Sequence, residues 1–231
     1  MKPLTELVGT FLFLFVIALA GPSGSALTAL AIGGALMVNV YAGGHRSGAH
    51  YNPAVSLALF LGKKITSSEL LAYWGAQVVG GVAAFALGYA IVGKPVAIVP
   101  GAGHSVLAAL AVETIFTFML ALVVLNTAAS RKTEGNSFYG LAIGFTIVVA
   151  AIAGGPISGG AFNPAVGIGA TLVAAMHGGS LGSIWIPVVG PLVGGALASY
   201  FWAYQEANDT PPVAHPSDFA IDQPATNVST R

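Results

Sequence analysis

The nine residues Ser47-Gly48-Ala49-His50-Tyr51-Asn52-Pro53-Ala54-Val55 return in the second half of the chain as Ser158-Gly159-Gly160-Ala161-Phe162-Asn163-Pro164-Ala165-Val166. Asn at a cap with Pro at the first helical position is a strong helix-start signal. The Asn side chain accepts from an unpaired backbone N–H, and Pro has no N–H to leave unpaired. Each start opens an apolar run, Ala54 to Gly62 and Ala165 to Ala175. About ten residues make a helix of about 15 Å, half of a hydrocarbon core of about 30 Å. One such block reads equally well as an ordinary capped helix. Two of them predict half-helices that enter a membrane from opposite faces and meet at its middle.

The composition makes the bilayer the expected solvent. Only 7% of residues are charged and 55% are hydrophobic, with a mean hydropathy of +0.82. A soluble domain carries about a quarter charged residues to solvate its surface. Zero net charge removes the case for a nucleic-acid partner, and the absence of cysteine excludes disulfides and thiolate metal sites. The 31 glycines, with pairs at Gly33-Gly34, Gly80-Gly81 and Gly194-Gly195, suit close helix crossings in lipid.

Apolar stretches predict six spans, at 4–21, 26–43, 69–92, 106–127, 137–153 and 182–204. The first follows Lys2, contains Glu6 and is long enough to cross, so it reads as a span rather than a cleaved signal peptide. The connections 44–68 and 154–181 are long and nearly uncharged, which is odd for loops in water, and each holds one Asn-Pro-Ala block. With the N-terminus inside, Lys2, Arg46, Lys63, Lys64, Arg131, Lys132 and Arg231 are cytoplasmic, and only Lys94 falls outside, together with His104. That asymmetry supports cytoplasmic N- and C-termini. Residues 1–204 form the channel domain in this reading, with repeats at about 4–92 and 106–204. Residues 205–231 are polar and Pro-rich and read as a disordered tail.

The repeat extends beyond the motifs. Glu6 and Glu113 stand in matching places of spans one and four, and Gly80-Gly81 of span three matches Gly194-Gly195 of span six. Three spans per half forces the second half to enter inverted, which places the functional site near the midplane. Non-helical backbone at that depth must line water or be buried in protein. Ser47 to Tyr51 and Ser158 to Phe162 are expected as extended strips offering carbonyl acceptors. Asn52 and Asn163 are expected to present donors to the lumen. Two helix N-termini aimed at one point create a positive field that disfavours cations.

These residues resemble the major intrinsic protein family, the aquaporins and glycerol facilitators, over 4–204. The resemblance implies an all-α membrane fold of six transmembrane helices plus two re-entrant half-helices, a homotetramer with a pore in each subunit, and passive transport without a cofactor. Asn52, Pro53, Ala54, Asn163, Pro164 and Ala165 then form the pore midplane. Glu6 and Glu113 brace the re-entrant loops, with His45 and His50 holding loop backbone; the alternative for His50 is a pore-lining group. By family spacing the outer constriction falls on Ile32, Ala151, Gly160 and Val166. Val166 stands where most relatives have Arg, so the constriction is expected to be wide and apolar. Pro187-Val188 resembles glycerol facilitators, whereas Gly167 lacks their Asp.

A channel for water and small neutral solutes is therefore expected. A secondary transporter of the same inverted-repeat type would need a coupling-ion site, and a closed-pore junction protein of the same fold would not conduct. No catalytic triad, metal cluster or phosphate loop suggests an enzyme. Two glycosylation-like sequons, at Asn208 and Asn227, fall on the side expected to be cytoplasmic.

Overall fold

The structure is a computed structural model and describes residues 1–209. Eight α-helices occur among them: α1 (Lys2–Ala20), α2 (Thr28–Ser47), α3 (Pro53–Leu61), α4 (Ser67–Val92), α5 (Val106–Val124), α6 (Tyr139–Ser158), α7 (Pro164–Met176) and α8 (Ile186–Asn208). Five of them are long and apolar enough to cross a bilayer: α1, α4, α5, α6 and α8. The sixth, α2, has 20 residues and ends in the polar turn His45-Arg46-Ser47. Leu71, Val79, Leu107, Ile115 and Ile152 are all more than half exposed on the outside of the bundle. In water such a surface would aggregate; in lipid it is the expected exterior.

The short helices start as their caps dictate. Asn52 and Asn163 have nearly identical extended backbones, and each side-chain oxygen accepts from the N–H two residues on, Ala54 and Ala165, at 2.9 Å. Pro occupies the first turn of both. At about 1.5 Å per residue, the nine residues of α3 and thirteen of α7 each cover about half a bilayer core.

The helices run further than the hydropathy suggested. α2 reaches Ser47 and α6 passes through Pro156 to Ser158 before Gly48 and Gly159, both at φ +91°, stop them. This left-handed conformation suits a residue without Cβ. The strips beyond are kinked rather than extended, correcting the expectation. Ala49, Tyr51 and Phe162 have φ +50° and Gly160 +70°. At the other end, 205–208 belong to the last turn of α8, so the polar tail begins later than expected. Residues 210–231 lie outside the described residues.

The two halves interlock. α1 packs on α4, α5 on α8, and α2 on α6 across the halves. A Cβ at Gly80 would stand 2.5 Å from the Leu7 carbonyl oxygen, and one at Gly194 2.3 Å from that of Thr114. The half-helices cross over: α3 packs on α8, and α7 on α4.

Candidate functional site: the lumen between the half-helices

Both buried carboxylates face the kinked strips. Fully buried Glu6 accepts from the Ser47 hydroxyl at 2.6 Å and from the backbone N–H groups of His50 and Tyr51 at 3.0 and 2.7 Å. Glu113, also fully buried, repeats this with Ser158 at 2.7 Å, Ala161 at 2.9 Å and Phe162 at 2.6 Å. Each carboxylate thus satisfies N–H groups that a loop without ladder or helix would leave bare. Charge-assisted acceptance makes these bonds stronger than amide–amide ones.

One half adds more. Gln77 donates to Glu6 and to the Ser56 hydroxyl, both at 2.9 Å, and Ser56 Oγ lies 3.0 Å from His50 Nδ1. The His50 ring also stands edge-on to Tyr73, with centroids 4.9 Å apart. Sequence reading missed Gln77 and Ser56 because the other half has no counterpart for them. His45, expected beside His50 as a brace, is exposed on the last turn of α2, and its ring makes no hydrogen bond among the described residues. The continuation of α2 to Ser47 carries it away from the strip.

The strips bring the two asparagines together. Asn52 Nδ2 donates to the Phe162 carbonyl and Asn163 Nδ2 to the Tyr51 carbonyl, each at 2.9 Å. With the oxygen of each amide on its own helix cap, one N–H of each Nδ2 is spoken for and the other remains as a donor. Asn52, His50 and Asn163 all border a central cavity of about 40 Å³, room for a few waters. The N-termini of α3 and α7 converge on the same place.

Vestibules flank this cavity. One, of about 600 Å³, is bordered by Lys64, Arg131 and Glu134; the other, of about 330 Å³, by Ser25, Thr28 and Val96. Ile17, Ile32, Ala151 and Gly160 border both the central cavity and the Val96 vestibule, so they mark the join. Three of them are the residues expected there; Ile17 was not expected. Its position eleven residues after Glu6 on α1 was the available signal. Val166, in the first turn of α7, is 1% exposed and borders neither space, because its short side chain ends in the core.

Residues 2–202 match the major intrinsic protein family. The chain belongs to that family. Its relatives include Aquaporin NIP2-3 of Zea mays, 33% identical over 93% of this chain and 73% of the relative. Aquaporin TIP2-3 of Arabidopsis thaliana is 37% identical over 86% of this chain and 84% of the relative. Among solved structures, the aquaglyceroporin from Plasmodium falciparum superposes with a TM-score of 0.77, at 23% identity, over 87% of this chain and 94% of that one. The fold is therefore that of the major intrinsic proteins, six spans and two half-helices in inverted repeat. As a member of the family the chain is an integral multi-pass membrane channel for water and small solutes, not an enzyme.

Proposed function

We propose that this channel passes water together with small neutral solutes such as glycerol, urea or ammonia, through an outer constriction that is wide and apolar. The Lys64 end is cytoplasmic in this reading, which puts Ile17, Ile32, Ala151 and Gly160 at the outer mouth, and the working unit is a homotetramer with one pore per subunit. The observation that carries the reading is the lining of that mouth. It holds no charge, no histidine and no aromatic ring, and Val166, buried in the core, sends no side chain into it. Width admits solutes larger than water, while the asparagine donors and the two helix N-termini disfavour cations.

A transporter is poorly supported, because the intramembrane acids Glu6 and Glu113 already accept from fixed loop donors and leave little for a coupling ion. A closed pore has one observation on its side: a central cavity of only about 40 Å³ between apolar rings, which can expel water. Stopped-flow light scattering of proteoliposomes with water, glycerol, urea and ammonia separates these readings. Fast, non-saturating flux of water and at least one solute is expected. Flux of water alone would remove the passage of solutes, and no flux would support the closed pore.

A further inference from the structure

The central cavity meets its two vestibules at two rings of side chains, and the repeat relates the two rings. Ile17 and Val124 each follow their buried glutamate by eleven residues; Gly160 and Ala49 each precede their motif asparagine by three. Ala151 and Val40 precede it by twelve, and Ile32 and Ile143 by twenty. The outer four form the mouth already described. Their counterparts Val40, Ala49, Val124 and Ile143 all border the inner vestibule, and the last three also border the central cavity.

We propose that this inner ring, not the outer mouth, sets the size limit for solutes. The inference rests on the functional reading above and adds where selection happens. Side-chain size is the first argument. Val40 stands where the outer ring has Ala151, and Ala49 supplies a methyl group that Gly160 lacks; only Val124 is smaller than its counterpart, Ile17, by one methylene. Burial is the second. Val40, Ala49, Val124 and Ile143 are 3%, 6%, 8% and 4% exposed; of the outer four Ile17, at 9%, is as buried as Val124, whereas Ile32, Ala151 and Gly160 are only half-buried at an open mouth. Fixation is the third. Both strips are held by the same relay, Ala49 N–H to Ser47 to Glu6 and Gly160 N–H to Ser158 to Glu113, but only the inner one holds a methyl group, that of Ala49, which cannot swing aside without breaking the brace. A solute that clears the outer mouth and meets the asparagines must then pass a tighter ring that offers it no side-chain hydrogen bond. Passage there is decided by width.

The test is stopped-flow permeation of the full chain in proteoliposomes with water, urea, glycerol and the four-carbon polyol erythritol. Val40→Ala gives the inner ring the side chain of its outer counterpart and is expected to raise the erythritol-to-water ratio about threefold or more. Val124→Ala is expected to act in the same direction and serves if Val40→Ala fails to assemble. Ile17→Ala widens the outer mouth and is expected to raise the ratio by less than half as much. An Ile17→Ala effect equal to or above that of Val40→Ala would overturn the inference, as would inner variants that leave the ratio unmoved. A wild-type channel that passes nothing at all defeats the functional reading instead. In that case, flux appearing in Val40→Ala or Val124→Ala upholds the inner ring as the barrier, and continued silence in both removes it.

Discussion

Asn52 and Asn163 are cross-wired: each donates at 2.9 Å to the carbonyl immediately ahead of the other, that of Phe162 for Asn52 and that of Tyr51 for Asn163. Each therefore caps its own half-helix with its oxygen and ties down the opposite strip with its nitrogen. The polar centre of the lumen is a mutual structure to which neither half is sufficient.

Replacing Asn163 by Ala removes a cap worth about 1 kcal/mol and leaves the buried Tyr51 carbonyl without its donor, which costs roughly 1–3 kcal/mol more. A loss of about 2–4 kcal/mol in reversible detergent unfolding is expected, and Asn52→Ala should match it. In assembled Asn163→Leu, water permeability should fall, since one of the two lumen donors is gone. Wild-type stability and flux would show that the cross-tie contributes little.

Glu113→Gln keeps the shape of the side chain but sets an amide N–H₂ against at least one of its donors, Ser158, Ala161 or Phe162. The buried clash should cost about 3 kcal/mol or more, read as loss of monodisperse protein on size-exclusion chromatography. Gln77→Ala is the gentler comparison. It takes one donor from Glu6, which keeps three others, and should cost about 1–2 kcal/mol. If Gln77→Ala proved as damaging as Glu113→Gln, the brace would not be what holds the strips.

Two glycines separate packing from propensity. A Cβ at Gly195 would stand 2.5 Å from the Ala54 carbonyl oxygen, so Gly195→Ala must push α8 off α3 and is expected to lower the melting temperature in detergent by several degrees, roughly the effect of 1–3 kcal/mol. Gly34, on α2, has nothing within 4 Å of the same position. Gly34→Ala should gain about 0.5–1 kcal/mol from helix propensity. Equal behaviour of the two variants would refute the close crossing.

Val166 itself borders neither lumen space, so Val166→Arg tests whether a long cationic side chain on the first turn of α7 reaches the outer mouth. Water flux should persist while glycerol or urea flux falls about tenfold. A rise in water flux instead would mean that the native mouth is dewetted, and an unchanged profile would mean that this position does not reach the constriction.

The chain has no cysteine, so a single one placed at exposed Lys94, just past the end of α4, has no background. It should react with an impermeant thiol reagent added outside intact cells. Labelling only after permeabilisation would reverse the orientation.

Much of this was legible in the residues. The caps of α3 and α7 were readable because Asn-Pro starts act locally, and the inverted arrangement followed from counting three spans between copies. The backbone of the strips was not readable. Gly48 and Gly159 mark helix ends, but the positive φ of Tyr51 and Phe162 goes with N–H groups held by the distant carboxylates Glu6 and Glu113, and no local propensity announces it. The constriction was half readable. Ile32, Ala151 and Gly160 could be counted back from the motifs, but whether Val166 reaches the lumen depends on how deep α7 sits, which only packing decides. Ile17 was hidden as one more apolar residue in an apolar helix.

The crossed packing of the half-helices has a consequence for how the protein is made. α3 is complete by Leu61, yet the surface that Gly195 opens for it lies on α8, which is synthesised more than a hundred residues later. Until α8 emerges, the first re-entrant segment has only part of its seat, against α4 and α5, held by the bonds of Gln77 to Ser56 and Trp74 to the Pro53 carbonyl. The nascent chain must hold a short apolar helix that cannot cross the membrane by itself, and only the arrival of α8 completes its packing.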